Sequence, residues 1–289
     1  MRSSRCHRLP LVGCMLALAC SLVMSGCSGS GESQTLTVAG STTVLPIAEM
    51  AAEGYEQQTG TKVLVSGLGS SAGIEAVTNG TADIATSSRE LTVAESEHEL
   101  VATVIAHDGI AVIVNPDNPV SGLTTDQLRD IYAGKITNWS EVGGPDLAIQ
   151  VVNRDEASGT REAFRTIVMG DAPFDRSAAV LPGTGQVRDV VSRTPGAIGY
   201  ISIGFVDSDY ATTSVRALAI DGVQATEDNV ETGAYPISRD LYFFTNGDPQ
   251  GEAYGYISYV LSDEMDQTIR DAGYIPAHKS SDAEGSDAR

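Results

Sequence analysis

Cysteine is absent from all but the first 27 residues of this 289-residue chain. The four cysteines are Cys6, Cys14, Cys20 and Cys27. The remaining sequence therefore offers neither a disulfide framework nor a cysteine-based metal site. A domain of about 250 residues can bury a core without such cross-links, so we expect an ordinary globular fold that holds no metal.

Positive charge is also scarce. The chain has 18 lysine and arginine residues against 38 aspartate and glutamate residues, a formal net charge of −20. A negative field of this size repels polyanions, which argues against nucleic acid or an anionic lipid surface as a partner. The field repels small anions as well, so a bound anion would need local donors held in place by the fold.

The one apolar run long enough to suggest a targeting segment lies at the N-terminus. Residues 1–8 carry three arginines and no acid, residues 9–24 are mostly apolar, and Ser-Gly-Cys follows. This order is typical of a secretory signal peptide, and its ending resembles the lipobox of bacterial lipoproteins. We therefore expect a signal peptide over residues 1–26, lipidation of Cys27 and a flexible tether over residues 27–35. A retained signal-anchor helix is the alternative, although the run is short for a membrane span.

Strand-like and helical patterns alternate along the rest of the chain, which predicts an α/β fold with mostly parallel sheets. Strands are expected at residues 35–39, 61–66, 83–86, 109–115, 149–153, 197–201 and 241–245. Helices are expected at residues 44–58, 71–79, 93–100, 124–132, 158–169 and 253–271. Thr124 and Gln127 have the spacing of a capping box. A polar segment at residues 280–289 cannot contribute to a core and is predicted to be disordered.

Four turns rich in small and hydroxyl-bearing residues follow strands or open helices. They lie at residues 39–43, 67–73, 87–88 and 158–160. In open α/β sheets, ligands bind beyond the carboxyl ends of the strands, where such turns lead into helices. Arg154 precedes the last turn, and its planar guanidinium matches the geometry of phosphate or carboxylate. Each turn alone could be an ordinary helix cap. Together with Arg154, the turns predict an oxyanion site built from hydroxyls, backbone N–H groups and one fixed cation.

Four short motifs link these features to a known family. They read Ala-Gly-Ser-Thr at 39–42, Gly-Ser-Ser-Ala-Gly at 69–73, Ile-Tyr-x-Gly-x-Ile-x-x-Trp at 131–139 and Ser-Gly-Thr-Arg at 158–161. In this combination the chain resembles the phosphate-binding lipoproteins of ABC-type phosphate uptake systems, over nearly all of residues 36–276. Trp139, the single tryptophan, is expected to have a packing role.

The resemblance implies a two-lobed periplasmic-binding-protein clamp, type II-like, with two α/β lobes joined by a two-strand hinge. Lobe 1 would comprise residues 36–109 with 239–279, and lobe 2 residues 110–238. The implied function is that of an extracytoplasmic lipoprotein, which captures inorganic phosphate between the lobes and delivers it to the permease of an ABC importer. Such a protein is expected to be a monomer and not an enzyme, to need no cofactor, and to touch the membrane through its lipid anchor only.

The resemblance also implies a set of ligand-binding residues. Carried over by motif position, they are Ser41, Thr42, Thr43, Ser70, Ser88, Arg154, Ser158, Gly159 and Thr160. The better-known branch of the family has an aspartate in place of Ser88, and that carboxylate accepts the proton of hydrogen phosphate and rejects sulfate. Glu156, Asp108 and Glu90 are the candidate replacement acceptors. Glu156 is expected to orient Arg154, and Asp108 either approaches the ligand or caps a turn.

Because a serine hydroxyl can donate as well as accept, Ser88 leaves the choice of anion open. A binder of sulfate, molybdate or tungstate with the same clamp is the main alternative, and a phosphate-sensing surface lipoprotein is another. A hydrolase is a third alternative. For it, His107 beside Asp108 is the one pair that could activate a serine nucleophile.

Overall fold

The structure, a computed structural model, describes residues 35–206 and 214–277. The predicted signal peptide, the lipidation site at Cys27 and the predicted disordered tail lie outside the described residues, as does all of the predicted tether except Thr35. Within those two ranges, no helix is both long and apolar enough to cross a membrane.

Strands and helices alternate along the described chain, as the sequence pattern predicts. The strands are β1 (Thr35–Gly40), β2 (Lys62–Gly67), β3 (Ile84–Ser87), β4 (Leu100–Val114), β5 (Gly122–Leu123), β6 (Gln150–Arg154), β7 (Ala179–Leu181), β8 (Ala197–Ser202), β9 (Arg216–Ala217), β10 (Ala219–Ile220), β11 (Ser238–Asn246) and β12 (Ile275–Pro276). The α-helices are α1 (Leu45–Thr59), α2 (Ser70–Thr78), α3 (Thr125–Tyr132), α4 (Gly159–Phe164), α5 (Thr184–Arg193), α6 (Glu227–Glu231), α7 (Gly251–Val260) and α8 (Asp263–Asp271). A π-helical segment, Arg165–Met169, continues α4.

One mixed sheet follows the strand order β2-β1-β3-β11-β4-β8-β6-β7. The outer groups are parallel, since β1 pairs in parallel with β2 and β3, and β6 with β7 and β8. The central strands β11 and β4 run antiparallel to each other and to their neighbours β3 and β8. The expectation of mostly parallel sheets thus holds for the outer groups and is wrong at the centre, where the chain crosses between the two halves and later returns.

The apolar side chains form two main cores, and each defines a lobe. In lobe 1, β1, α1 and the first half of β4 pack with β11, α7 and α8. In lobe 2, the second half of β4 packs with α3, β6, α5 and β8. Trp139 is fully buried in lobe 2, and its indole N–H donates to the carbonyl oxygen of Gly196 at 3.0 Å. The predicted packing role of Trp139 is therefore confirmed.

Strand β4 belongs to both lobes. It contributes Ile105 and Ala106 to the core of lobe 1 and its last five residues, from Ile110 to Val114, to the core of lobe 2. Strand β11 runs antiparallel beside β4 from Ser238 to Asn246. These two strands therefore connect the lobes, in agreement with the expected two-strand hinge.

The helix predicted at residues 93–100 is wrong. The chain there forms only a single 3₁₀ turn, Glu95–Glu97, and Leu100 already begins β4. Residues of β4 from Leu100 onward pair with β11 over a long antiparallel ladder. Within the predicted segment only Leu100 belongs to this ladder, opposite Asn246. The carboxylate of Glu95 is bound by Arg89 and by the N–H of Thr92, so contacts with residues outside the segment override the local preference of a glutamate-rich run for helix.

The single helix predicted at residues 253–271 is in fact two helices. Helix α7 ends at Val260 and α8 starts at Asp263. Ser262 lies between them, and its hydroxyl donates to the carbonyl oxygen of Tyr259 at 2.6 Å. Serine competes in this way for backbone groups that would otherwise continue a helix, and the chain turns at this point.

Candidate functional site

Three turns of lobe 1 meet because their strands are parallel neighbours in the sheet. The N–H of Ser41, after β1, donates to Thr86 O of β3 at 2.9 Å. The N–H groups of Leu68 and Gly69, after β2, donate to Gly40 O at 2.8 and 2.7 Å. Gly40 has a φ of +144°, and a Cβ there would lie 2.1 Å from Thr86 O. Only glycine permits this close approach, which brings the first turn onto the end of β3.

The serine hydroxyls of these turns form one buried group. Ser41 Oγ donates to Ser88 Oγ at 3.1 Å, and the hydroxyls of Ser70 and Ser88 lie 3.4 Å apart. The backbone N–H of Ser88 donates to Ser70 Oγ at 3.1 Å. All three residues are buried. Lobe 1 thus presents a cluster of neutral hydroxyls whose hydrogen atoms can rotate toward an acceptor.

Arg154 supplies the fixed cation from lobe 2. It ends β6, is 2% exposed, and donates through Nη2 to Pro182 O at 2.7 Å and through Nη1 to Thr184 Oγ1 at 3.2 Å. Nη2 also reaches Thr42 Oγ1 of lobe 1 at 3.2 Å. Burial lowers the pKa of Arg154 to about 10, so the guanidinium stays protonated at neutral pH. Among the described residues it has only neutral hydrogen-bond partners.

Buried residues of lobe 2 behind Arg154 hold its backbone in place. Its N–H donates to Asn153 Oδ1 at 2.8 Å, and the hydroxyl of Tyr200 donates to the same oxygen. Tyr200 stacks on Phe164 with ring centroids 4.2 Å apart. These buried neighbours fix the direction in which Arg154 leaves β6, which is a requirement for an organised anion site.

The turn at residues 158–160 faces lobe 1 across the cleft. Ser158 caps α4, because its Oγ accepts from the N–H of Arg161 at 3.2 Å. The hydroxyls of Thr160 and Thr43 lie 3.0 Å apart. A Cβ at Gly159 would lie 2.3 Å from Ser70 Oγ and 2.7 Å from Ser88 Oγ. The two lobes therefore touch through these turns, and glycine at position 159 allows the contact.

All nine residues predicted as ligand-binding lie in this one region, where the turns of lobe 1 face Arg154 and residues 158–160. The structure also adds Thr184, the first residue of α5, which the sequence analysis missed. Its hydroxyl lies 3.1 Å from that of Thr42 and 3.4 Å from that of Thr43. The signal in the sequence was Gly-Thr-Gly at 183–185, one more small-residue turn that opens a helix.

The predicted role of Glu156 is wrong. Its side chain is exposed and makes no ion pair with Arg154 within the described chain. The turn after β6 directs Glu156 to solvent, while the backbone carbonyls of Leu181 and Pro182 hold Arg154. Glu90 is also exposed.

Asp108 does not cap a turn, and its carboxylate is not free to accept a hydrogen bond from a bound hydrogen phosphate. It is buried in the middle of β4 and forms an ion pair with Arg239 of β11, with Oδ2 2.7 Å from Nη2. Its Oδ1 accepts from Ser202 Oγ at 2.7 Å. Burial raises the pKa of Asp108, although the positive charge of Arg239 and the hydrogen bond from Ser202 act against this rise. Arg239 is a second functional candidate that the sequence analysis missed.

The loop after Ser88 is fixed by another ion pair. Arg89 donates to Glu95 through Nη1 and Nη2, at 2.7 and 2.8 Å, and to Ser71 Oγ of α2 at 3.0 Å. Burial acts to raise the pKa of Glu95, but the hydrogen bonds from Arg89 and from the backbone of Thr92 outweigh it and hold the pKa below its ordinary value. The pair thus ties the third turn of lobe 1 to the start of the second helix.

His107 lies apart from the buried cluster of serine hydroxyls. Its Nδ1 is 2.6 Å from Asp240 Oδ1, and both side chains are about two-fifths exposed, at 42% and 40%. The structure gives it no hydrogen bond to any of the predicted site serines. His107 and Asp240 line a cavity of about 730 Å³ whose walls come from both lobes and which also reaches Arg239.

Two α/β lobes that face each other across two connecting strands define a two-lobed binding clamp. The profile of the PBP superfamily domain matches residues 27–264. The phosphate-binding protein PstS of Bacillus subtilis is 33% identical over 92% of this chain and 93% of its own length. The PstS of Borreliella burgdorferi is 28% identical over 88% of this chain and 94% of its own length.

Solved structures agree with these relatives. A Clostridium perfringens protein, described as a putative phosphate ABC transporter substrate-binding protein with bound phosphate, superposes with a TM-score of 0.80 at 36% identity, covering 85% of this chain and 100% of that one. An ABC-type phosphate transport receptor from Vibrio cholerae gives a TM-score of 0.70 at 38% identity, covering 83% and 99%. The chain belongs to the phosphate-binding substrate-binding proteins of ABC-type phosphate transporters.

Proposed function

We propose that this protein captures inorganic phosphate between its two lobes and delivers it to the permease of an ABC importer. The observation that carries the proposal is the setting of Arg154, a buried cation with neutral partners that faces hydroxyls from both lobes. A buried charge without a counter-charge is unfavourable unless it is compensated, and an oxyanion supplies that compensation.

The number of donors is sufficient for tight binding. The proposed ligand-binding residues are Ser41, Thr42, Thr43, Ser70, Ser88, Arg154, Ser158, Gly159 and Thr160, with Thr184 as a neighbour. Micromolar affinity corresponds to about −8 kcal/mol. Hydrogen bonds to a charged group contribute about 1.5 to 3 kcal/mol each, so even part of this set is enough after the cost of ordering and closure.

Binding rather than catalysis is the function that the site supports. A serine nucleophile needs a base within hydrogen-bond reach, and among the described residues His107 has its hydrogen bond with Asp240 and none with a site serine. The hydroxyls surround a cation and one another, an arrangement that suits a ligand held by many donors. Failure of the pure protein to hydrolyse a generic phosphoester is the expected result.

The remaining parts of the proposal concern the ends of the chain and the division of the lobes. Residues 1–26 are a signal peptide, Cys27 carries the lipid, and the protein works as an extracytoplasmic monomer. Residues 36–109 with 239–279 form lobe 1, and residues 110–238 form lobe 2. Incorporation of labelled fatty acid into the expressed protein, and its loss in Cys27→Ala, would test the anchor.

The experiment that tests the function is calorimetric titration of phosphate, and then sulfate, into the full-length protein after unfolding, dialysis and refolding to remove bound anion. We expect micromolar or tighter binding of phosphate. Sulfate is the informative competitor, because Ser88 replaces the family aspartate and Asp108 is already paired with Arg239. Preference for sulfate would keep the clamp and overturn the proposed substrate, and binding of neither anion would reject the proposal.

A further inference from the structure

Arg239 and Asp108 form the most deeply buried ion pair in the described chain, with side chains 4% and 0% exposed. They are register partners on β11 and β4, the strands that connect the lobes. Arg239 contacts Asp108 Oδ2 through both Nε, at 3.0 Å, and Nη2, at 2.7 Å. Since the other carboxylate oxygen accepts from Ser202, the carboxylate is held on both sides, and the guanidinium has one fixed orientation.

The remaining donors of Arg239 reach the proposed anion site. Its Nη1 donates to Ser88 O at 3.2 Å, and its Nη2 lies 3.4 Å from Thr43 Oγ1. The hydroxyl of Thr43 in turn meets Thr160 of lobe 2 at 3.0 Å. One guanidinium therefore joins the connecting strands to two of the turns that face the cleft.

We infer that Arg239, held by Asp108, is a positioning residue that couples the hinge to the anion site through Thr43 and Ser88. This inference rests on the proposed function. The guanidinium is a rigid planar fork, so it contacts the carboxylate, the Ser88 carbonyl and the Thr43 hydroxyl together at one arrangement of the strands. Asp108 also accepts from Ser202 of lobe 2, so a change of hinge angle at this register disturbs the carboxylate that holds Arg239. The contacts of Arg239 thus hold Thr43 at the place where its hydroxyl meets Thr160 of lobe 2.

The charge of the pair supports a positioning role. Arg239 and Asp108 neutralise each other, so the pair adds little net attraction for an anion. Arg154 remains the cation without a charged partner, and the charge of Arg239 nearby contributes to lowering its pKa. The effect of Arg239 on binding is therefore geometric, and a lysine, which has no fork, cannot reproduce it.

The test is calorimetric titration of the full-length protein in four forms: wild type, Arg239→Lys, Thr43→Val and the double variant Arg239→Gln/Asp108→Asn. The double variant removes both charges together and avoids leaving an unpaired buried carboxylate. We expect it to bind phosphate about 10- to 100-fold more weakly than wild type, in the range of coupling through shared contacts. Arg239→Lys should also bind more weakly, although it keeps the charge.

A triple variant that adds Thr43→Val to the double variant completes a mutant cycle between Thr43 and the pair of Arg239 and Asp108. If Arg239 acts through Thr43, the loss in the triple variant is smaller than the product of the separate losses. Small-angle scattering gives a second readout: the change in radius of gyration on adding phosphate should shrink in the double variant. Arg129→Gln is the matched control, since Arg129 also pairs with a carboxylate and a backbone carbonyl but contacts none of the site hydroxyls.

Affinity of the double variant within threefold of wild type, with the folded state intact by circular dichroism, would overturn the inference. The inference would also be overturned if the loss of phosphate affinity in the triple variant equalled the product of the losses in Thr43→Val and in the double variant. A wild-type protein that binds sulfate in place of phosphate would contradict the proposed substrate alone, and the same variants titrated with sulfate would then decide the role of Arg239.

Discussion

Gly159→Ala is a small change at the place where the lobes touch. The added Cβ would lie 2.3 Å from Ser70 Oγ, 2.7 Å from Ser88 Oγ and 2.9 Å from Ser70 Cβ, whereas ordinary contacts begin at 3.4 Å. Relief of the closest overlap requires the turns to separate by about 1 Å, beyond the few tenths of an ångström that a packed neighbour can give. Such a separation would carry the hydroxyls of Thr43 and Thr160, now 3.0 Å apart, out of hydrogen-bond range.

The magnitude follows from the cost of overpacking, about 1 to 3 kcal/mol. Only the closed arrangement bears this cost, because the overlap is between the lobes. At about 1.4 kcal/mol for each factor of ten, phosphate affinity should fall by roughly 5- to 150-fold. Stability of the protein without ligand should be unchanged or slightly higher, since alanine suits the first turn of a helix better than glycine.

Gly185→Ala is the matched control for this prediction. Gly185 also lies in the first turn of a lobe 2 helix, α5, but a Cβ there meets nothing within 4 Å. Phosphate affinity measured by calorimetry and thermal unfolding of the ligand-free protein separate the two effects. If Gly159→Ala binds phosphate within twofold of Gly185→Ala, the contact between the turns does not govern binding and the reasoning is refuted.

Three further predictions concern the cation Arg154, the ion pair between Arg89 and Glu95, and Trp139 in the core of lobe 2. Arg154→Gln should weaken phosphate binding by about 2 to 5 kcal/mol, the usual effect of breaking a buried charge interaction, and calorimetry showing unchanged affinity would remove Arg154 from the site. Glu95→Gln should lower the free energy of unfolding by about 1 kcal/mol at pH 7. Because the pKa of Glu95 is lowered, this difference should be complete above the ordinary pKa of a glutamate, shrink as the pH falls below it and vanish below the lowered pKa of the folded protein; urea unfolding in which the difference does not shrink on acidification would contradict the ion-pair account. Trp139→Phe should cost about 1 to 3 kcal/mol by urea unfolding and leave phosphate affinity within about twofold; a larger loss of affinity would show that the tryptophan does more than pack.

The sequence predicts those parts of the structure that local pattern controls. The capping box of Thr124 and Gln127 is present as predicted, and Ser158 caps α4. Most of the helices and strands that the sequence predicts start within a residue or two of their predicted positions. Strand β4 starts nine residues earlier than predicted, and the elements that were not predicted are α5, α6, β5, β7, β9, β10 and β12. The turns converge because parallel neighbouring strands end at one edge of a sheet, a general rule that needs no coordinates.

The parts that sequence reasoning missed depend on contacts between distant residues. Asp108 and Arg239 are 131 positions apart, and only the register of β4 with β11 brings them together. Glu156 is two residues from Arg154, yet the turn separates their side chains. Nearness in sequence therefore led to the wrong prediction that Glu156 orients Arg154. The helix predicted at residues 93–100 failed for a related reason, since Leu100 pairs with Asn246 of β11 and Glu95 with Arg89, both outside the predicted segment.

The order in which the two cores draw on the chain has a consequence for biosynthesis. The core of lobe 2 comes almost wholly from one continuous stretch, residues 110–237, whereas the core of lobe 1 unites residues 36–106 with residues 241–274. A chain that emerges from its N-terminus can therefore assemble lobe 2 while the strands and helices at its beginning still lack α7, α8 and β11. Until the last 50 or so residues arrive, apolar surface of β1 and α1 stays exposed to solvent, and this is the interval in which aggregation or proteolysis competes with folding.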